Sequence, residues 1–388
     1  MNTHRIILGD CIEGMKTLPE GSVHTCVTSP PYFGLRSYEG GDAEIGQEET
    51  VDEYVQKMVE VFREVRRVLR DDGTLWLNLG DSYMAAKNCA PPPQTIGGQR
   101  GMPSDFVPGN RKDQKGLKTK DLIGIPWRVA FALQADGWWL RQDVIWHKPN
   151  PMPESVTDRC TRAHEYIFMF SKKSHYFYDH EAIKEAAVSS PHAPGNKNRT
   201  QPEDKGARDP ALEPERVWGG DGKKNKRSVW TVNTKGYKGA HFAVYPKELI
   251  TPCVLAGSSE HGCCSKCGTP WVRKVETTRS FESGSGKSGN MPEGKNGKNL
   301  QGGGETRDIR RGPVCHTKTV GWESNCSCEG EVVPCTVLDP FTGSGTTAVV
   351  SLSNGRNYVG TELNPEYVKI AEDRIRQEVA NSLQGFLA

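Results

Sequence analysis

From Val51 to Leu69 the apolar residues Tyr54, Val55, Met58, Val61, Phe62, Val65 and Leu69 recur at helical spacing, which predicts an amphipathic helix. Asp71-Asp72-Gly73 reads as the stop of that helix, and Thr74–Leu79 as a buried strand. Helix, glycine turn and strand in this order are the signature of an α/β crossover. The same alternation recurs elsewhere. Ile6 to Thr28 reads as strand, turn, short helix and strand, with Gly9-Asp10-Cys11 closing the first strand. Pro126 opens a helix that runs to about Ala135. Leu140–Trp146 and Glu165–Ser171 are predicted strands, with a short third at Tyr176-Phe177-Tyr178. Val337-Leu338-Asp339 is a strand, Thr346 begins a helix, and Tyr358–Thr361 is the next strand. The fold class expected is α/β, of the Rossmann-like kind.

Polar stretches interrupt this pattern. One runs from about Ala86 to Thr119, a second from about Ala187 to Lys226, and a third from about Ser280 to Arg311. Their Gly, Pro, Ser and Lys content would leave them flexible in isolation. The first, 86–119, is long enough to be a mobile or functional loop. Between Thr95 and Lys120 six basic residues (Arg100, Arg111, Lys112, Lys115, Lys118, Lys120) face two acidic ones, Asp105 and Asp113. That segment is either a solvated loop or a track for phosphates.

Composition narrows the class. The chain has 388 residues, 35% hydrophobic and 25% charged, with a formal net charge of +2. Such a chain suits one large domain or two of moderate size. It has no long apolar run and no apolar signal-peptide core at Met1–Ile6, so a cytoplasmic protein without a membrane span is expected. Its 12 cysteines are clustered, which in such a chain points to metal rather than to disulfides.

Two short motifs carry the chemistry. Asp339-Pro340-Phe341-Thr342-Gly343-Ser344-Gly345-Thr346-Thr347 lies between a strand and a helix, where glycines let the backbone turn tightly and approach a ligand. The second strand of this unit ends in Glu362, and an acid at that place in a Rossmann-like unit takes ribose hydroxyls. The turn lacks the full dinucleotide glycine pattern and has no phosphate-binding lysine. Near the other end stands Thr28-Ser29-Pro30-Pro31-Tyr32, which resembles the target-amine motif of the amino-group DNA methyltransferases, and the chemistry that this resemblance implies is the following. Exocyclic amines of bases are poor nucleophiles, because the nitrogen lone pair is delocalised into the ring. An enzyme must accept hydrogen bonds from the amine and hold it in line with the methyl donor, about 3 Å away. A Pro-Pro turn fixes a carbonyl outward. Ser29 and the Pro30 carbonyl are the acceptors expected, Pro31 rigidifies the turn, and Tyr32 offers a face to a base taken out of the duplex.

The pair of motifs, in this order, resembles the amino-group DNA methyltransferases of the permuted beta class. The resemblance covers about Ile6–Asp179, Ser228–Ala256 and Thr336–Ile375. It implies methyl transfer from S-adenosylmethionine to cytosine N4 or adenine N6 of double-stranded DNA. It also implies that Asp339 and the turn of Pro340, Phe341, Gly343, Ser344, Gly345 and Thr346 surround the methionine moiety, and that Glu362 holds the ribose. His241-Phe242-Ala243-Val244-Tyr245-Pro246 resembles the family element in which Phe242 and Pro246 close over the cofactor. Asp143–Asn150 with Pro153-Glu154, and Arg162–Ile167, resemble further family blocks, with Lys148 and Asn150 either lining the target pocket or capping a strand. Serine before Pro-Pro is typical of the cytosine-N4 enzymes, so Ser29 favours that base, with adenine N6 as the alternative.

Cys264-x2-Cys267-Gly268 and Cys326-x-Cys328 supply four thiolates, a set that suits tetrahedral zinc in a structural role. Cys263, Cys315, Cys335, His261 and His316 could substitute in that set, and free cysteines in a small subdomain are the other reading. The organisation expected is a catalytic half at 1–181, a target-recognition region at 182–227 and a cofactor-closing segment at 228–260. A Cys-rich insert follows at 261–335, flexible at 280–311, and then a cofactor-binding half at 336–388. A cognate restriction endonuclease is a candidate partner. The competing functions are RNA or protein methylation and a non-catalytic zinc protein that binds DNA.

Overall fold

The computed structural model describes residues 2–34, 44–84, 116–186, 223–234, 244–280 and 314–387. In chain order they form β1 (His4–Leu8), α1 (Cys11–Lys16), β2 (Val23–Thr28), α2 (Val51–Val68), β3 (Leu69–Leu79), α3 (Ile125–Ala135), β4 (Trp139–His147) and β5 (His164–Ser171). There follow β6 (Glu185–Ala186), β7 (Lys223–Lys224), β8 (Val229–Thr231), α4 (Lys247–Gly257), β9 (Cys263–Cys264), β10 (Val272–Ser280) and β11 (Val314–Glu323). The chain closes with β12 (Val332–Val333), β13 (Thr336–Asp339), α5 (Thr346–Ser353), β14 (Asn357–Glu362) and α6 (Pro365–Leu387).

Eight strands make one sheet in the order β1-β14-β13-β2-β3-β5-β4-β8. β1, β14, β13, β2 and β3 pair in parallel, β5 runs against both β3 and β4, and β8 is parallel to β4. Only β5 is reversed. The connections after β13 and β2 lead to opposite sides of the sheet: β13 is followed by β14 on one side, β2 by β3 on the other. The carboxyl ends of those two strands are therefore a switch point, where open α/β sheets bind ligands.

Residues alternate across the strands and sort the helices to two faces. Cys26, Leu75, Leu77, Leu79, Leu338 and Val359 join the core formed by α1, α2 and α3. Their neighbours Thr25 and Thr74 approach Gly257 of α4 on the other face. There Tyr358 packs with Ala348 and Val349 of α5 and Ile375 of α6. α2 begins with a capping box, in which Thr50 accepts from the Glu53 amide and Glu53 accepts from the Thr50 amide. Its residues Tyr54, Met58, Val61, Phe62 and Val65 are fully buried, as the spacing predicts.

Two local expectations need correction. Asp71-Asp72-Gly73 does not separate helix from strand, because β3 starts at Leu69 and runs through it. Side chains hold that charged stretch extended: Arg70 pairs with Asp72, and Lys172 and Lys173 pair with Asp71. Tyr176-Phe177-Tyr178 is not a strand. The Phe177 amide donates to the Asp72 carbonyl, and Tyr178 stacks on Trp76 with ring centroids 6.4 Å apart, so packing rather than a ladder uses these aromatics.

The described residues divide into two compact units, one of 1–182, 227–272 and 324–388 and one of 183–226 and 273–323. The second contains the β6–β7 and β10–β11 pairs. Most of 86–119, 182–227 and 280–311 lies outside the described residues. Among the described residues no helix is long and apolar enough to cross a membrane.

Candidate active site

The loops that leave the strand ends converge on one cavity of about 680 Å³. β1 supplies Gly9, Asp10 and Cys11, β2 supplies Ser29 to Tyr32, and β3 supplies Asn78, Gly80 and Asp81. β13 supplies Pro340 to Ser344 and Thr346, and β14 supplies Thr361, Glu362 and Leu363. Because β5 runs in reverse, its first residues, His164 and Glu165, reach the same end, beside Lys148 beyond β4.

Asp339 joins the two motifs. Its carboxylate accepts from the Thr28 hydroxyl at 2.7 Å, the Thr347 hydroxyl at 2.7 Å and the Phe341 amide at 3.0 Å. Tyr245, ahead of α4, donates to it at 3.4 Å. Asp339 is 1% exposed and lies beneath the cavity wall rather than in it. Burial pushes its carboxyl up to about 7, against the pull of Thr347, Thr28 and the Phe341 amide. Thr28 is the residue before Ser29, so the acid ties the Ser-Pro-Pro-Tyr turn to the glycine turn on the neighbouring strand.

The glycine turn is made mostly of backbone. The Gly343 amide donates to Glu362 at 2.8 Å, and the Asn364 amide donates to its other oxygen at 2.9 Å. Burial raises the Glu362 carboxyl above its ordinary range. Gly345 does not face the cavity. It caps α5 with φ of 76°, and a Cβ there would lie 2.8 Å from the Cβ of Ala371. Arg374 of α6 clamps the turn by donating to the Ser344 hydroxyl at 2.7 Å and the Thr346 hydroxyl at 3.2 Å.

The other turn is made of side chains. Tyr54 of α2 donates to the Pro31 carbonyl at 2.8 Å and fixes the Pro-Pro backbone. The Tyr32 ring packs on Gly80, where a Cβ would meet ring carbon Cε2 at 2.6 Å. Its hydroxyl faces Glu165 at 3.0 Å, Asn78 at 3.2 Å and the Ser29 hydroxyl at 3.4 Å. Asn78 also donates to Glu165 at 3.3 Å, and Lys148 pairs with its other oxygen. Burial, then the Glu165 carboxylate, keeps the Tyr32 phenol protonated well above its usual range.

Of the residues expected from sequence, Ser29, Pro30, Pro31, Tyr32, Pro340, Phe341, Gly343, Ser344, Thr346 and Glu362 share the cavity. Pro246 is buried at the start of α4, and Phe242 lies outside the described residues. Lys148 lines the cavity, whereas Asn150 caps a loop by exchanging hydrogen bonds with Thr234. Sequence reasoning missed Asn78, Tyr245, Arg374 and the role of Glu165. The signal for two of them was a polar residue inside an apolar run: Asn78 within Leu-Trp-Leu-Asn-Leu, and Glu165 ahead of Tyr-Ile-Phe-Met-Phe.

The sulfurs of Cys264, Cys267, Cys326 and Cys328 lie within 4.8 Å of one another and could hold a metal ion. A tetrahedral ion with ~2.3 Å bonds needs sulfurs roughly 3.8 Å apart, so the set fits. The Gly268 amide closes the knuckle on the Cys264 carbonyl, and β9 pairs with β12. Bonding to Thr269 pushes the Cys267 thiol down to about 6, while Cys267 and Cys326 push Cys328 up to about 12. Crowded thiolates repel, which a cation would relieve. Cys263 and Cys335 are not in this set. They group with His24, whose Nδ1 accepts from the Thr336 amide at 3.0 Å and whose Nε2 faces the Gly268 carbonyl at 2.9 Å. Both imidazole nitrogens are therefore used in linking the knuckle to the starts of β2 and β13. The side chains of Cys315 and His316 lie outside the described residues.

Comparison with known proteins shows the family. The N6/N4 methyltransferase family described as DNA methylase matches residues 23–264 and 333–373. The type II methyltransferase M.Cfr9I of Citrobacter freundii is 38% identical over 385 residues, 99% of this chain and 91% of that protein. The type II methyltransferase M.SmaI of Serratia marcescens is 38% identical over 377 residues, 96% of this chain and 90% of that one. Among solved structures, the PvuII DNA methyltransferase (cytosine-N4-specific) superposes with a TM-score of 0.50 at 16% identity, covering 99% of this chain and 94% of that one. That likeness shows the fold.

Proposed function

This chain belongs to the N6/N4 DNA methylase family, and on that premise we propose that it methylates the N4 amine of cytosine in duplex DNA with S-adenosylmethionine. One observation carries the reading. Ser29-Pro30-Pro31-Tyr32 and the Phe341–Ser344 turn with Glu362 line a single cavity at the switch point of the sheet.

S-adenosylmethionine supplies the methyl group as a sulfonium. The chain's own residues fit its donor set: the Phe341–Ser344 turn offers backbone to the methionine part, and the Glu362 carboxylate offers an acceptor to ribose hydroxyls. Asp339 holds the turn in shape from beneath, Gly345 caps α5 behind it, and Phe242 and Pro246 are the residues that the family resemblance assigns to closing over the cofactor. Ser29 and the Pro30 carbonyl accept from the amine, which concentrates the lone pair on nitrogen and aims it at the methyl. The cavity lies at strand ends, so the base must leave the stack to reach it and pack against Tyr32. The amine-binding turn precedes the cofactor turn in the chain, the permuted arrangement. Serine ahead of Pro-Pro, where the adenine enzymes carry an acid or amide, supports cytosine.

The target-recognition region in this reading is 182–227, with the catalytic half at 1–181 and the cofactor half at 336–388. The four cysteines hold structural zinc, because four thiolates leave no open position for chemistry. The type II relatives support a partner endonuclease of the same specificity.

The test is methylation of mixed-sequence duplex DNA, digested to nucleosides and read by mass spectrometry. N4-methylcytosine is the expected product. N6-methyladenine would keep the family and overturn the base assignment.

A further inference from the structure

The proton that the methylated amine must lose has no destination in the reading above. We propose that Glu165, held by Lys148, receives it through the hydroxyls of Ser29 and Tyr32. This rests on the proposed cytosine-N4 reaction and deepens it.

The geometry is a continuous chain. The Ser29 hydroxyl donates to the Tyr32 hydroxyl at 3.4 Å, and the Tyr32 hydroxyl donates to the Glu165 carboxylate at 3.0 Å. Catalytic hydrogen bonds are often long before substrate is bound and tighten in the complex. Lys148 pairs with the far oxygen of Glu165, and the two side chains are each 17% exposed. The lysine Nζ also sits 4.1 Å from the centre of the Trp146 ring, across the ladder from Glu165. A charged pair with little exposure is a poor way to gain stability, because desolvation offsets the attraction and an apolar pair would serve as well. Placing one in the cavity, against the residue expected to stack on the base, has a chemical explanation.

The step balances. The nitrogen lone pair forms the new N–C bond, the S–C bond breaks, and its electrons neutralise the sulfonium. The nitrogen is then positive. Its N–H bond breaks and the electrons return to nitrogen. The proton goes to the Ser29 oxygen as the Ser29 proton moves to Tyr32 and the Tyr32 proton to Glu165. An exocyclic ammonium is a far stronger acid than a carboxylic acid, so an ionised glutamate takes this proton downhill. Lys148 holds the carboxylate in place beside the Tyr32 hydroxyl, and Glu165 afterwards returns the proton to solvent.

Glu165→Gln tests this directly. Glutamine keeps the size of the side chain and an oxygen for Tyr32, but cannot take the proton. With enzyme in excess over a mixed-sequence duplex, the single-turnover rate is expected to fall about 100-fold, within the range of positioned proton transfer. S-adenosylmethionine and DNA dissociation constants stay within twofold, and Glu165→Asp recovers part of the rate. A wild-type rate in Glu165→Gln overturns the proposal. So does a rate loss matched by equal loss of binding, which would mark a structural role. If the glutamine variant does not fold, Tyr32→Phe decides: it must show the same loss of rate at unchanged cofactor affinity, and a wild-type rate overturns the relay. Failure of the wild-type protein to form N4-methylcytosine would instead refute the reading beneath it.

Discussion

The two turns that meet in the cavity are built in different ways. The turn after β13 is backbone, shaped by Gly343 and Gly345 and braced by the buried acid Asp339 and by Glu362. The turn after β2 is a side-chain network in which Tyr32, Asn78, Glu165 and Lys148 come from four places in the sheet. A backbone turn gives a fixed shape for a constant ligand. A charged side-chain network gives groups that can accept and pass protons. On the function proposed, the difference is a division of labour: shape and affinity on the β13 side, chemistry on the β2 side.

The largest expected effect strikes both turns at once. The cysteine knuckle is tied through His24 and Arg70 to the starts of β2, β13 and β3. Removing the proposed zinc, or making Cys264→Ser, should cost about 5 kcal/mol of stability and impair cofactor binding and turnover together. Metal analysis should find one zinc per chain in the wild type and none in the variant. A metal-free wild type of full stability would show that the knuckle stands by itself.

Asp339→Ala comes next. It leaves the Thr28 hydroxyl and the Phe341 amide without their acceptor, while Thr347 keeps the Val27 carbonyl and Tyr245, at roughly 1–3 kcal/mol for each group left buried and unpaired. Denaturant unfolding should show a loss of about 3–5 kcal/mol, and cofactor titration should show no binding. Glu362→Gln should be milder, weakening S-adenosylmethionine about tenfold, the scale of one hydrogen bond to a charged group, with the single-turnover rate at saturation little changed. Loss of rate at unchanged affinity would break the comparison.

The smallest effect is a slope with pH. Asp339 is held up to about 7 in the folded protein, above the range of a carboxyl in an unfolded chain. Between those values the folded state binds the extra proton. Stability from this group is therefore full in acid and falls as pH rises toward 7, by about 1 kcal/mol between pH 6 and 7. Asp339→Asn should remove that slope, read as the difference between wild-type and variant unfolding curves at each pH. Identical slopes would mean that Asp339 is ionised throughout.

The same difference explains what could be read from sequence. The β13 turn is local: strand, glycines, helix and Glu362 follow one another within a short span, so their spacing carries the meaning. α2 was legible for the same reason, since Tyr54, Met58, Val61, Phe62 and Val65 form one helical face. The network around Tyr32 is assembled by the sheet. Asn78 and Glu165 meet only because β5 runs antiparallel to β3, and no spacing along the chain encodes that pairing. Arg374 reaches Ser344 from α6 in the same way. Charge misled at Asp71-Asp72-Gly73, which local propensity reads as a stop. The pairs with Arg70, Lys172 and Lys173 hold it in β3.

The division of labour is tested most directly by Ser29→Ala. Cofactor titration and single-turnover methylation would be measured on one preparation. The expected result is a rate lower by about 100-fold, the scale of one lost hydrogen bond to a group that changes charge in the transition state, with S-adenosylmethionine affinity within twofold of wild type. Parallel loss of affinity and rate, or retention of both, would contradict it.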